Sequence, residues 1–240
     1  MGRFLEPVEL LGHVRLLLGR TGPLAGKTII VTAGGTQEPL DPVRVLTNRS
    51  SGKQGYALAQ AAIDAGAQVV LITAPTDLTP PVGARVVPVT TAHQMQTSLL
   101  SESPNAAALI MAAAVADFRP KAVADDKLKK RDGIPQVDLE AVPDLLLSVA
   151  DLGSGRPDVV IGFAAESRDL LENASAKLRS KKLDMIVAND ITNPQAGFEV
   201  DTNKVTLLLK DGTQESLPLM SKSEVAENII AHIAALLESK

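Results

Sequence analysis

With 240 residues, 45% hydrophobic and 22% charged, the chain can bury one large α/β core or two small ones and has an ordinary globular composition. A net charge of −4, one Tyr, four Phe and no Trp argue against a nucleic-acid binder working by bulk charge or base stacking, and the absence of Cys removes disulfides, thiolate zinc sites and thiol nucleophiles. The longest apolar run, Ala106 to Ala116, is about half a membrane span, and Met1 to Arg20 carries Glu6 and Glu9 rather than a secretory core, so the expectation is a soluble cytoplasmic protein with no membrane or nucleic-acid partner.

Pro7 to Leu18 is predicted as a short amphipathic helix with Val8, Leu11, Val14 and Leu18 near helical spacing, followed by a Gly/Pro linker at Thr21 to Gly26. Lys27 to Ala33 reads as a buried strand, Gly34 to Asn48 as a long loop, and Gly52 to Gly66 as a helix with Leu58, Ala61, Ala62 and Ala65 inward. Gln68 to Thr73 is the next strand, which completes a βαβ unit with parallel strands and a right-handed crossover. The alternation continues with a strand at Arg85 to Val89, a helix at Ala92 to Leu100 and a strand at Ala107 to Ala112. Phe118 to Gln136 is charged and loop-like. Strands at Asp158 to Phe163 and Asp184 to Ala188 flank a helix at Leu170 to Lys182. Lys204 to Leu217 reads as a hairpin around a type I′ turn at Asp211-Gly212, and Ser221 to Glu224 as a capping box opening a last helix with Val225, Ile229, Ile233 and Leu236 on one face. The whole is predicted as a doubly wound, mostly parallel Rossmann-like α/β sheet with a C-terminal β-hairpin and helix: an N-terminal helix and linker over 1–26, then one nucleotide-binding domain over 27–240.

The first βα turn is Ala33-Gly34-Gly35-Thr36, not G-x-G-x-x-G, and no acid follows the second strand to hold a ribose. A nicotinamide-dependent oxidoreductase is therefore the alternative rather than the leading reading, with a non-catalytic nucleotide sensor as a third. Ser50, Ser51 and Gly52 run into a helix start with Arg49 and Lys53 alongside, which suits either an anion nest or a plain Ser-capped helix. Asp117 sits just beyond a buried strand, as a ligand-facing acid or a loop cap. Asp125 to Arg131 carries Lys127, Lys129 and Lys130, either a solvated face or an arm closing over phosphates. Phe163 ends another strand, in the core or beside a base, and Lys177 and Lys181 share a helix face where like charges repel unless an anion binds. His13, His93 and His232 lie far apart without metal-ligand spacing.

The strings TAGGTQEPLDPVRVLTNRSSGKQGYALA, AAAVADFRPK with KLKK, GFAAES and KKLDMIVANDI, together spanning about Gly26 to Asn203, resemble the bacterial type of phosphopantothenoylcysteine synthetase in order and spacing. Val142-Pro143-Asp144 departs from the family's common Asn-Pro-Asp, and Leu128 replaces a common isoleucine. The resemblance implies a ligase joining 4′-phosphopantothenate to L-cysteine in coenzyme A biosynthesis. CTP would serve as co-substrate with Mg²⁺, through an acyl-cytidylate formed with release of pyrophosphate; no flavin is expected. It implies catalytic roles for Asn48, which would hold the intermediate, and Lys127, on the reacting phosphate. Ser50, Ser51, Gly52, Asp117, Phe118, Asp144, Phe163, Lys177 and Lys181 would bind nucleotide, with Asp117 also at the magnesium. Ala113, Ala114, Lys130 and Arg44 would bind substrate, Arg44 within the chain or across the interface of a homodimer. The preference for CTP over ATP rests on the resemblance alone. MGRFLEP is similar to the end of the flavin-dependent decarboxylase half of bifunctional members, so the chain reads as a C-terminal half or as a free-standing protein.

Overall fold

Along Thr28–Ala33 the side chains alternate between two hydrophobic layers: Ile29 and Val31 enter one, Ile30 the other, and all three are fully buried. That two-sided burial makes this strand the middle of the molecule. The computed structural model describes residues 4–130, 133–166, 170–190, 197 and 200–240, with the backbone alone at 165, 166 and 190. Met1 to Arg3, Arg131, Ser167 and Ile191, which belong to the strings quoted above, lie outside the described residues.

In chain order the elements are α1 (Pro7–Gly19), β1 (Thr28–Ala33), β2 (Gln37–Pro39), β3 (Val45–Thr47), α2 (Lys53–Asp64), β4 (Gln68–Thr73), β5 (Arg85–Pro88) and α3 (Ala92–Glu102). There follow β6 (Ala108–Met111), β7 (Phe118–Pro120), β8 (Leu139–Ala141), α4 (Leu145–Ala150), β9 (Val159–Glu166), α5 (Leu170–Ser180) and β10 (Met185–Asp190). The last are β11 (Thr202–Asn203), β12 (Val205–Leu209), β13 (Gln214–Ser216), β14 (Met220–Ser221) and α6 (Lys222–Glu238). The main sheet has the order β13-β12-β10-β9-β6-β1-β4-β5. The strands from β10 to β5 are parallel, while β12 and β13 join antiparallel at one edge. The predicted doubly wound sheet with a C-terminal hairpin and helix is the fold observed. The chain winds outward from β1 through β4 to β5, then crosses back to β6 on the other side of β1. That reversal is the switch point where open α/β sheets bind ligands. A lone parallel bridge, Gly35 to Ala114, continues the β1–β6 seam past the strand ends.

Several elements differ from the sequence reading for identifiable reasons. The Gly34–Asn48 loop contains the β2–β3 ribbon, closed by Asp41, whose Oδ1 accepts the amides of Val43 and Arg44 at 2.9 and 2.8 Å. The β12–β13 turn is not type I′, because Gly212 alone takes positive φ (95°) while Asp211 does not. It is a three-residue connection in which the Leu209 amide donates to Thr213 O at 2.9 Å, with Asp211 Oδ1 accepting the Thr213 amide. Helix α1 forms where expected, but Val8, Leu11, Val14 and Leu18 are exposed. It packs through glycines instead: a Cβ on Gly12 would meet Val82 at 2.6 Å, and one on Gly19 would meet the Ile63 carbonyl at 2.5 Å. Arg15 pairs with Asp64 beside this contact. Among the described residues no helix is long and apolar enough to cross a membrane.

Candidate active site

At the N-terminus of α2, Gly52 is the N-cap, with φ 75°, and no side chain caps the helix. The nearest serine contacts, Gly52 N to Ser50 Oγ at 3.4 Å and Lys53 N to Ser51 Oγ at 3.5 Å, are long for hydrogen bonds. The Ser-capped alternative is therefore not what forms. This helix start, with its dipole, lies at the mouth of a cavity of about 400 Å³ lined by Ser50, Ser51, Gly52 and Lys53. The turn comes this close to β1 because residue 55 is glycine: a Cβ there would meet Ala33 Cβ at 2.6 Å and Thr32 O at 2.9 Å.

The opposite lip is the stretch after β6. Besides the Ala114 bridge, three side chains hold its backbone: Thr32 Oγ1 accepts the Ala113 amide at 3.0 Å, Thr36 Oγ1 accepts the Ala116 amide at 2.9 Å, and Asn48 Nδ2 donates to Val115 O at 2.9 Å. Asn48 thus bridges the stretch leading into α2 and the Ala113–Ala116 wall, and it lines the cavity with Ala113, Ala114 and Asp117. Small residues here leave room for a ligand backbone.

The third wall comes from the far side of the sheet. Phe163 at the carboxyl half of β9 is partly buried and faces the cavity. Asp144 caps α4, accepting the amides of Leu146 and Leu147 at 3.0 and 3.1 Å, and its other oxygen meets Lys181 Nζ at 2.8 Å. Burial pushes the Asp144 carboxyl up, but Lys181 and those amides outweigh it and hold it below its ordinary value. Lys181 lies just past the end of α5, one residue inside the predicted helix boundary.

Five predicted site residues stand outside this cavity in the single chain: Arg44, Phe118, Lys127, Lys130 and Lys177. Arg44 works locally. Its Nε and Nη2 reach Asp41 Oδ2 at 2.9 and 2.5 Å, and Nη2 also donates to Leu128 O at 2.6 Å. The Leu128 amide returns to Asp41 Oδ2 at 3.1 Å, and the Ala124 amide to Leu40 O at 3.1 Å. The charged segment is therefore pinned to the β2–β3 turn at Leu128, between exposed Lys127 and Lys129. The Arg44 guanidinium holds the buried Asp41 carboxyl far below the usual carboxylate range.

The cavity also contains Gln54, Asn189, Asn203 and Lys222, to which the sequence reading gives no role, although Gln54 and Asn189 fall within the quoted strings. Asn189 is 7% exposed, and its Oδ1 has no hydrogen-bond partner among the described residues. Its position at a strand's carboxyl end was the available signal. Lys222 is 6% exposed at the first turn of α6; nothing local in the sequence places that turn beside α2. No group of three or more metal-ligating side chains occurs among the described residues.

Residues 24–237 match the family described as the DNA/pantothenate metabolism flavoprotein C-terminal domain. The coenzyme A biosynthesis bifunctional protein CoaBC of Bacillus subtilis is 44% identical over 238 residues, covering 98% of this chain and 58% of that protein. The CoaBC of Mycobacterium tuberculosis is 44% identical over 250 residues, covering 98% and 60%. The chain thus spans under two thirds of the length of these relatives. The crystal structure of a CoaBC C-terminal domain superposes with a TM-score of 0.79 at 40% identity, covering 92% of this chain and all of that one. A Cab2 variant in complex with phosphopantothenate-cysteine shares the fold, at TM-score 0.74 and 19% identity. Sheet order, switch-point cavity and these likenesses agree: the chain belongs to the DNA/pantothenate metabolism flavoprotein C-terminal domain family.

Proposed function

We propose that the chain is a phosphopantothenate–cysteine ligase of coenzyme A biosynthesis. The observation that carries this reading is the single cavity uniting Asn48, the uncapped cradle Ser50–Gly52, Asp117, Phe163 and Lys181 at the sheet's switch point. A carboxylate is a poor acyl donor, and the chain has no Cys to form a thioester. A nucleotide supplies the leaving group instead. The substrate carboxylate oxygen bonds to the α-phosphorus of CTP, the bridging P–O bond breaks, and its electron pair leaves with pyrophosphate. The cysteine amine then attacks the acyl carbon of the mixed anhydride; CMP departs with the C–O electron pair, and the amine gives up a proton to solvent. The chain's part is to neutralise charge and hold the reactants in line.

In this reading the cradle amides and Lys53 bind phosphate, Asn48 holds the acyl-cytidylate, and Phe163 flanks the base. Asp144 spends its carboxylate on Lys181 and on α4, which leaves Asp117 as the carboxylate for Mg²⁺, an ion that prefers oxygen and keeps most of its ligands as phosphate and water. Arg44, Lys127, Lys130 and Phe118 act from a second copy of the chain. Exposed Val43, Val45, Phe118 and Val123 gather on the β2 and β7 ribbons beside Arg44, an apolar patch suited to a homodimer interface. In the relatives' bifunctional arrangement a decarboxylase domain would be fused to this one.

The test is pyrophosphate release from CTP and magnesium with 4′-phosphopantothenate present and cysteine absent. A burst stoichiometric with enzyme is expected, followed by amide and CMP on adding cysteine. No release with any nucleoside triphosphate would contradict the proposal.

A further inference from the structure

We infer that Lys222 is a phosphate-binding residue of the cavity, which together with Lys53 holds the terminal phosphates of the nucleotide and the pyrophosphate they become. This deepens the ligase reading and rests on it.

Lys222 reaches the cavity because three contacts fix its backbone. The β11–β14 ribbon pairs Thr202 with Ser221, the Lys222 amide donates to Asp201 O at 3.0 Å, and Gln54 Nε2 donates to Lys222 O at 3.1 Å. Asn203 Nδ2 reaches Gln54 Oε1 at 3.5 Å, and α6 packs along α2. The first residue of α6 is thereby set beside the first residue of α2. Its own helix start is closed by the Ser221–Glu224 capping box, so the side chain, not the helix end, faces the ligand space.

A 6% exposed ammonium lining a polar cavity carries a desolvation cost that a bound anion relieves. Burial first, and Lys53 next, push the Lys222 amine down to about 8; Asp201 acts the other way. Asp201 is itself exposed and bridged to Lys53 Nζ at 2.6 Å. Among the described residues the charged groups acting on Lys222 are Lys53 on α2 and Asp201 before β11, while Glu224 on its own helix is engaged by Ser221. The side-chain amides of Gln54 and Asn203 line the same cavity, and Asn189 Oδ1, without a hydrogen-bond partner among the described residues, is a second polar group of the kind a ligand completes. Two ammonium groups beside an uncapped helix turn suit a polyphosphate. When the bridging P–O bond breaks, the departing oxygen gains negative charge, and two adjacent cations lower the cost of that step.

The decisive experiment uses the full chain, inorganic pyrophosphate as probe, and the variants Lys222→Met, which keeps the volume, and Lys222→Arg, which keeps the charge. Calorimetry near pH 8 in buffers of different ionisation heat should show proton uptake when wild type binds pyrophosphate. That uptake should shrink in Lys222→Arg, which remains charged. Lys222→Met should weaken pyrophosphate binding about tenfold or more and slow its release from CTP in proportion, with thermal stability retained. Binding within about twofold of wild type in Lys222→Met, or equal proton uptake in wild type and Lys222→Arg, would overturn the inference. The second comparison decides alone if Lys222→Met does not fold. A wild type that binds pyrophosphate with this proton signature but forms no amide from phosphopantothenate and cysteine would overturn the ligase reading and leave the Lys222 site standing.

Discussion

Asn48 donates its amide N–H to the Val115 carbonyl at 2.9 Å, which ties the proposed phosphate cradle to the wall the acyl group would occupy. Asp in its place cannot donate and sets a carboxylate against both that carbonyl and an anionic intermediate. For Asn48→Asp, single-turnover kinetics should show amide formation slowed about a hundredfold or more, and pyrophosphate release slowed less than about tenfold. Equal slowing of both steps would deny Asn48 its place at the intermediate. Asp41 is the second telling residue, a buried carboxylate that fastens the lysine-bearing segment through Leu128 and Arg44. Because its folded pKa is depressed, its stabilising contribution is fully present above the ordinary value of 3.8 and is lost progressively as pH falls from there through the lower folded value. Hydrogen exchange at the Leu128 amide should stay slow down to that range in wild type and rise about tenfold or more in Asp41→Asn at neutral pH. Individual roles of this kind were only partly legible in the sequence. Ser50, Asp117 and Phe163 follow strand ends or open a helix, positions that sheet topology assigns to ligands. Lys222 and Asn203 belong to late segments whose approach to α2 depends on how α6 packs, a long-range contact without a local signature.

Among the elements, α2 shows most clearly how packing serves the site. Leu58, Ala59 and Ala62 are fully buried against the sheet, and the helix start can approach β1 only because Gly55 has no side chain. Gly55→Ala must displace either Ala33 or the Thr32 carbonyl. Denaturant unfolding should show a loss of about 1–3 kcal/mol, with weaker nucleotide binding as the cradle shifts. The elements of the main sheet were readable because two-sided burial leaves continuous apolar runs such as TIIVTA and QVVLIT. The short ribbons were not: β2, β3, β7 and β8 have three residues each, two contain proline, and their pairing depends on turns such as that of Asp41 rather than on periodicity. Helix α1 shows the converse. Its 3.6-residue pattern is real, yet the glycine face is what packs in the single chain.

At the scale of the whole molecule, one chain brings Ser50–Gly52, Asn48 and Phe163, the proposed cradle, intermediate-holding amide and base-flanking ring, into one cavity, while Arg44 and the lysine segment stand outside it. On the proposed dimer each site combines Asn48 of one subunit with Arg44 of the other. Mixing two inactive variants, Arg44→Ala and Asn48→Asp, under conditions that allow subunit exchange should then restore about a quarter of wild-type activity, since half the dimers are mixed and each carries one intact site. No restoration would place Arg44's action within its own chain. The proposed dyad has no signature in the sequence, because a patch such as Val43, Val45 and Phe118 resembles any scatter of exposed apolar residues until the fold gathers it. The central claim, that the cavity converts a carboxylate into an acyl-nucleotide, is tested most directly by following a heavy-oxygen label placed in the carboxylate of 4′-phosphopantothenate through one turnover with CTP and cysteine. The account predicts that one labelled oxygen appears in CMP and none in pyrophosphate. Label in an inorganic phosphate product, or CMP free of label while amide forms, would contradict it.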